Sequence, residues 1–247
     1  MQLSVIIPTY NEVNTIASVL HAVQSVMPEV SKEIVIVDDD STDGTREWLK
    51  TFWHEHQHSR KETVDCPTDG QTTINVILQP SNQGKGAALR EGFRQATGDV
   101  IVIQDADLEY DPQDWQEMWR LIETDRADVV YGSRFYGKPH RVLYFHHFLG
   151  NKIISMLVNL VCNTMFSDIE VCYKMFRREV VDGLILTCDG FGFEVEFTMK
   201  MARDRHRWRF YEVGVSYYGR TYAEGKKIGW RDGVRALWLI AWFTLRR

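Results

Sequence analysis

The 247-residue chain is 44% apolar and 26% charged, a globular balance that excludes a disordered, collagenous or coiled-coil protein. With 29 Lys and Arg against 34 Asp and Glu the net charge is −5, so no nucleic-acid partner is expected and any anion must be held by a local cluster of cations. A chain of this length buries roughly three quarters of its unfolded surface and needs neither a disulfide nor a structural metal.

The opening run, MQLSVIIPTYNE, lacks the basic region and apolar stretch of a signal peptide. Cys66, Cys162, Cys172 and Cys188 form no C-x-x-C pair and read as reduced thiols, so a cytoplasmic protein is expected. No stretch reaches the roughly 18 apolar residues of a membrane-crossing helix.

Short β-branched runs and helical patterns alternate through the first half. Strands are predicted at Val5–Ile7, Glu33–Val37, Ile74–Leu78, Val100–Gln104 and Asp128–Tyr131, and helices at Glu12–Val26, Thr45–Trp53, Gly86–Ala96 and Pro112–Thr124. This alternation implies right-handed crossovers and a mostly parallel sheet with helices on both faces. The polar stretch His54–Thr73 has no periodicity and reads as an exposed loop. Its H-x-H-x-H run, His54, His56 and His58 with Cys66 nearby, has no second spaced ligand pair and is assigned no zinc site. After Tyr131 longer helical segments follow at Tyr144–Phe166, Arg178–Leu186 and Phe193–Arg203, then a strand-like Tyr211–Tyr217 and a terminal helix. No linker divides the halves. One domain spanning 1–247 is expected, with the second half a helical cap on the first.

In parallel sheets of this kind ligands sit beyond the carboxyl ends of the strands. Three predicted strands end there in polar runs: Pro8-Thr9-Tyr10-Asn11-Glu12, Asp38-Asp39-Asp40-Ser41 and Asp105-Ala106-Asp107-Leu108-Glu109. Alternation aims Asp105 and Asp107 to one side, and with Glu109 they offer the hard oxygen donors that suit Mg²⁺ or Mn²⁺. The Asp38–Asp40 run is equally what a strand-to-helix turn requires. Gly84-Lys85-Gly86 lacks the spacing of a phosphate loop, and no G-x-G-x-x-G follows the first strand, which disfavours a dinucleotide-binding enzyme.

Six motifs, IIPTYNE, IVDDDSTDGT, NQGKGAALREGF, VIQDADLEYDP, GSRF and YYGRTYAEGKKIGWRDG, lie in an order that resembles glycosyltransferase family 2. The similarity is to its branch of dolichyl-phosphate mannose synthases and bacterial polyprenyl-phosphate transferases, and it runs from Leu3 to about Leu237. It implies a Rossmann-like, GT-A type α/β fold, with 1–135 binding a nucleotide-diphosphate sugar and 136–247 facing the acceptor and the membrane. It also implies a divalent metal and a polyprenyl-phosphate acceptor. Pro8, Tyr10 and Glu12 then match the residues that hold the nucleotide, and Val37 and Asp39 the contacts to its base and ribose. Asp105, Ala106 and Asp107 match the segment touching donor and metal, with Glu109 as a further metal ligand. Arg134, Arg220 and Lys226 match the cations that grip the phosphates. Asp40 stands where many members carry Gly.

These roles agree with elementary chemistry. A sugar leaving a nucleotide diphosphate builds negative charge on the departing oxygen, which a dication and fixed cations stabilise. A phosphate acceptor, with a second pKa of about 6, attacks without a general base, whereas a hydroxyl acceptor requires one. Asp168, Glu170, Glu194 and Glu196 are the carboxylates available in that second case. The stretches His140–Phe166 and Val234–Arg247 mix aromatic, apolar and basic residues as helices at a lipid interface do, with Trp238 and Trp242 one turn apart. The expected activity is metal-dependent, inverting hexosyl transfer at the cytosolic membrane face, with GDP-mannose the favoured donor. The alternatives are a UDP-sugar donor, a glycan hydroxyl acceptor, or a non-catalytic nucleotide-binding module.

Overall fold

In a computed structural model, residues 1–59, 72–204, 206–225 and 229–246 are described. The chain runs β1 (Leu3–Thr9), α1 (Ile16–Ser25), β2 (Lys32–Asp38), α2 (Thr45–Ser59), β3 (Thr73–Leu78), α3 (Lys85–Gln95), β4 (Val100–Ile103) and α4 (Trp115–Glu123). It continues through β5 (Val129–Ser133), α5 (Phe145–Cys162), β6 (Lys174–Arg177), α6 (Phe193–Arg203), β7 (Phe210–Gly214) and α7 (Trp230–Leu245). The described strands form a seven-stranded sheet in the order β3-β2-β1-β4-β6-β5-β7, in which only β6 runs against its neighbours.

The apolar runs VII, IVIV and VIVI become the sheet because β-branched residues suit a surface covered on both sides. Every residue of β4 is buried, as are six of the seven in β1 and in β2. The path from β1 through β2 to β3 moves one way, and the path from β3 to β4 crosses back over both. With right-handed connections, α1 and α2 therefore cover one face and α3, which packs on β1 and β2, the other. The reversal falls between β1 and β4. The registers Thr9 opposite Asp38 and Ile6 opposite Ile103 bring the carboxyl ends of these strands together, so the crevice of this doubly wound sheet opens at Pro8–Glu12 and Asp105–Glu109.

Three expected features differ. The strand β6 lies where no strand was predicted; its four residues, Lys174–Arg177, carry too little pattern alone, and it enters antiparallel between β4 and β5. The expected helix over Arg178–Leu186 reduces to a 3-10 turn at Arg178–Val180, and Gly183 follows at φ +83°, a left-handed conformation that no helix continues through. The helix α2 does not stop at Trp53 but runs on to Ser59, so part of the expected loop is helical. His54 is exposed on it, and Cys66 lies outside the described residues.

The second half supplies α5, α6 and α7, which pack against one another. Helix α5 ends at Cys162 with Asn163 in the left-handed region at φ +53°, a position Asn tolerates. Cys162, Cys172 and Cys188 are buried.

Candidate active site at the reversal of the sheet

A cavity of about 470 Å³ opens at the crevice. It brings together Pro8, Tyr10 and Glu12 from beyond β1, Asp39 from beyond β2, Asp105, Ala106, Asp107 and Glu109 from beyond β4, Arg134 from beyond β5, and Arg220. Val37 does not join them, being fully buried within β2. Lys226 lies outside the described residues.

Arg220 organises one wall. Its Nη2 donates to Asp107 Oδ2 at 2.6 Å, its Nε lies 3.3 Å from Glu109, and its Nη1 lies 3.3 Å from Glu12. Its backbone N–H adds a bond of 2.8 Å to Glu109, which also accepts from the Tyr217 hydroxyl at 3.0 Å. Burial, with Asp105 and Glu109 alongside, pushes the Asp107 carboxyl up to about 7 despite this guanidinium.

Asp105 turns elsewhere, to Lys85 Nζ at 2.8 Å. Burial works against its ionisation, but the Lys85 ammonium outweighs it and the carboxyl lies below its ordinary range. Lys85 also stands 3.4 Å from Glu194, whose other oxygen is bound by the buried Lys174.

Arg134 forms a fork with the fully buried Asp168, donating from Nε and Nη2 at 2.7 Å each, and its guanidinium carbon lies 5.2 Å from the Tyr217 ring centre. Such a pair fixes the guanidinium plane in place.

Asp39 accepts from the backbone N–H groups of Gln83 and Gly84, each at 2.7 Å. Burial nonetheless leaves its carboxyl above the ordinary value. Gly84 has φ +98°, and a Cβ there would collide with the carbonyl of Asp189, so the glycine-lysine-glycine run serves close backbone approach and the aim of Lys85. Asp40, at the position where glycine is frequent in the resembled family, does adopt a glycine-like φ of +62° and is held by Arg46 Nη1 at 2.7 Å. Aspartate is among the few residues that accept this conformation, so the turn keeps its shape.

Of the four reserve carboxylates, Glu170 and Glu194 line the cavity. Asp168 serves Arg134, and Glu196 accepts from the N–H groups of Thr187 at 2.9 Å and Cys188 at 2.7 Å, away from the cavity. The role of Lys85 has no signal in the sequence, because the carboxylates that employ it are 20 and 109 positions distant. Tyr110, His147, Asn151, Phe191 and Tyr217 also line the cavity without any motif of their own.

The expected metal ligands are taken up by cations of the chain, Asp105 by Lys85 and both Asp107 and Glu109 by Arg220. Among the described residues no group of three or more His, Cys, Asp or Glu side chains is arranged to hold a metal ion. The charge balance of the lining nevertheless suits one: among the described residues seven carboxylates (Glu12, Asp39, Asp105, Asp107, Glu109, Glu170, Glu194) face three cations (Lys85, Arg134, Arg220). An anionic ligand enters such a cavity only with further positive charge, and the hard oxygen donors on Asp105, Asp107 and Glu109 suit a divalent ion.

Helix α5 borders the cavity through His147 and Asn151. Elsewhere on the same helix Phe145, Phe148, Leu149, Met156 and Leu160 are exposed, as are Val234, Leu237, Trp238 and Leu245 on α7, which packs beside it. Trp238 and Trp242 stack at 5.1 Å, with Arg246 over the Trp242 ring. No helix of the described residues is long and apolar enough to cross a membrane.

A mostly parallel sheet whose ligand cavity opens at the β1/β4 reversal, capped by C-terminal helices, defines an α/β fold of the GT-A-like class. Solved structures share it: glucosyl-3-phosphoglycerate synthase from Mycobacterium tuberculosis, in complex with Mn²⁺, UDP and phosphoglyceric acid, superposes with a TM-score of 0.62 at 17% identity over 97% of this chain and 78% of that one. S. aureus TarS 1-349 in complex with UDP-GlcNAc gives a TM-score of 0.58 at 18% identity, over 98% of this chain and 66% of that one.

The chain belongs to glycosyl transferase family 2, whose model matches residues 4–185. It is 28% identical to the dolichol-phosphate mannosyltransferase of Pyrococcus furiosus over 233 residues, covering 92% of this chain but only 61% of that protein. It is also 28% identical to the undecaprenyl-phosphate mannosyltransferase of Micrococcus luteus over 253 residues, covering 98% of this chain and 94% of that one.

Proposed function

We propose that this protein transfers a hexose from a nucleotide-diphosphate sugar, with GDP-mannose favoured, to a polyprenyl phosphate at the cytosolic membrane face. The observation that carries the reading is helix α5, which lines the charged cavity with His147 and Asn151 while exposing Phe145, Leu149 and Leu160 on the outside. Such an element sets an acceptor phosphate in the cavity while its lipid tail stays in the bilayer. The names of the two relatives, dolichol-phosphate and undecaprenyl-phosphate mannosyltransferase, support a mannosyl group and a polyprenyl-phosphate acceptor.

Asp105, Asp107 and Glu109 would hold Mg²⁺ or Mn²⁺, which when bound supplies charge to neutralise the diphosphate. Pro8, Tyr10, Glu12, Asp39 and Ala106 belong to the nucleotide side, with Val37 buried in β2 beneath them. Arg220 and Arg134 stabilise phosphate charge, the first from the carboxylate wall and the second from its fork on Asp168. The family resemblance assigns Lys226 to the same role. Because both guanidiniums are held before any ligand arrives, little reorganisation accompanies the reaction. An acceptor phosphate is largely dianionic at neutral pH and needs no base, so the chain supplies position and charge. Attack on the side opposite the nucleotide inverts the anomeric centre in one displacement.

The test is a transfer assay with GDP-mannose, UDP-glucose or UDP-N-acetylglucosamine, offering short polyprenyl phosphates or free oligosaccharides, with Mg²⁺, Mn²⁺ or EDTA. Transfer from GDP-mannose to the lipid phosphate, abolished by EDTA, is expected. Transfer only to oligosaccharide overturns the acceptor assignment, and transfer only from a UDP-sugar overturns the donor.

A further inference from the structure

Glu170 lies in the loop between α5 and β6 and lines the cavity together with Cys172, Phe191 and Glu194. The polar groups around it are committed. Asp168 holds Arg134, the Cys172 N–H donates to the Tyr110 hydroxyl at 3.3 Å, and Glu194 is taken up by Lys85 and Lys174. Glu170 Oε1, by contrast, is buried with no hydrogen-bond partner among the described residues, and no other carboxylate lining the cavity has such an oxygen. A buried acceptor without a donor is costly, and native proteins keep few of them unless a ligand or water completes the set.

The chemistry of the missing donor is constrained. A fully ionised phosphate has no hydrogen to give this oxygen, and a polyprenyl chain offers no donor at all. Sugar hydroxyls each donate one hydrogen, and two on adjacent carbons can reach the same carboxyl group. We propose that Glu170 reads the transferred hexose, accepting hydrogen bonds from its hydroxyls and thereby selecting which sugar the cavity takes. This rests on the nucleotide-sugar reading above. A hydroxyl partner also suits the state of the group: burial, with Glu194 nearby, pushes the carboxyl up to about 7, so near neutrality it can accept from one hydroxyl and donate to another. Sites built to hydrogen-bond a hydroxyl discriminate strongly, because its loss leaves a buried polar group unpaired.

Calorimetric titration with Mn²⁺ present tests the proposal, using GDP-mannose, UDP-glucose, GDP and UDP against the wild-type chain, Glu170→Ala and Glu170→Gln. Glu170→Ala is expected to lose at least about tenfold in affinity for the nucleotide hexose while changing less than about twofold for the matching nucleoside diphosphate. Glu170→Gln, which keeps the volume and one acceptor oxygen, falls between and serves if the alanine variant does not fold. Equal affinity of wild type and Glu170→Gln for the nucleotide hexose overturns the proposal, as does an equal loss for the diphosphate alone. Unchanged affinity with a collapsed kcat overturns it too, making Glu170 a proton acceptor for a hydroxyl. If the wild-type chain binds neither nucleotide hexose nor diphosphate, the nucleotide-sugar reading itself fails.

Discussion

The crevice between β1 and β4 and the outer face of α5 and α7 invert the usual rule of burial in opposite senses. In the crevice, charge is drawn inside: Asp107, Glu194 and Lys174 are buried, and each is matched to a counter-charge. On the helices, apolar surface is left outside, with Leu160 at 78% and Phe145 at 73% exposure. Buried ion pairs contribute little net stability, and exposed apolar area forgoes the gain of burial. Neither region is therefore explained by folding alone. On the proposed function a ligand completes each, a phosphate with its cation in the first and lipid in the second.

The largest effect is expected at the carboxylate wall. Asp107→Ala is predicted to lower transfer about 10²–10³-fold with an unchanged circular dichroism spectrum, and EDTA to lower the wild-type rate at least as much, reversibly on adding Mn²⁺. Full activity of Asp107→Ala would leave the crevice as a structural ion-pair network. Next, Asp168→Ala strips Arg134 of its fully buried partner. A loss of about 3–5 kcal/mol in denaturant unfolding is expected, because an uncompensated guanidinium remains inside.

Arg220→Ala should weaken nucleoside-diphosphate binding about 100-fold by calorimetry, since it removes a cation and leaves Glu12, Asp107 and Glu109 unbalanced. At the helices the comparison is sharpened by Phe145→Glu with Leu160→Glu. Binding to vesicles is predicted to fall about tenfold or more, while stability changes by less than about 1 kcal/mol because both side chains are exposed. Unaltered vesicle binding would separate the apolar face from any membrane role.

The smallest effect lies away from both regions. Burial opposes the ionisation of Glu196, but Lys200, Thr187 and the Cys188 N–H prevail and hold its carboxyl below 4.5. A depressed folded-state value means that its stabilisation is present above pH 4.5 and is lost as the pH falls through the folded value. Glu196→Gln should therefore flatten the acid limb of stability against pH below about 4.5, by roughly 1 kcal/mol.

Much of this was legible in the chain. The runs VIIPT, IVIVD and VIVI read as strands because residues buried on both faces must be continuously apolar, and the acids that follow them mark the ligand edge. Strand β6 was not legible, since four residues between helical patterns carry no period. Nor was the end of α2, because the polar run from His54 to Ser59 leaves no apolar stripe to count.

By itself the sequence determined the parallel sheet, the place of the crevice and its family, since these depend on local periodicity and on residues close together in the chain. Tertiary structure decided how the charges pair. Arg220 meets Glu12 across 208 positions, Arg134 meets Asp168 across 34, and Lys85 is drawn to Asp105 rather than to a phosphate loop. Pairing follows distance in space and the low dielectric of a buried site, and neither is written in the spacing of residues.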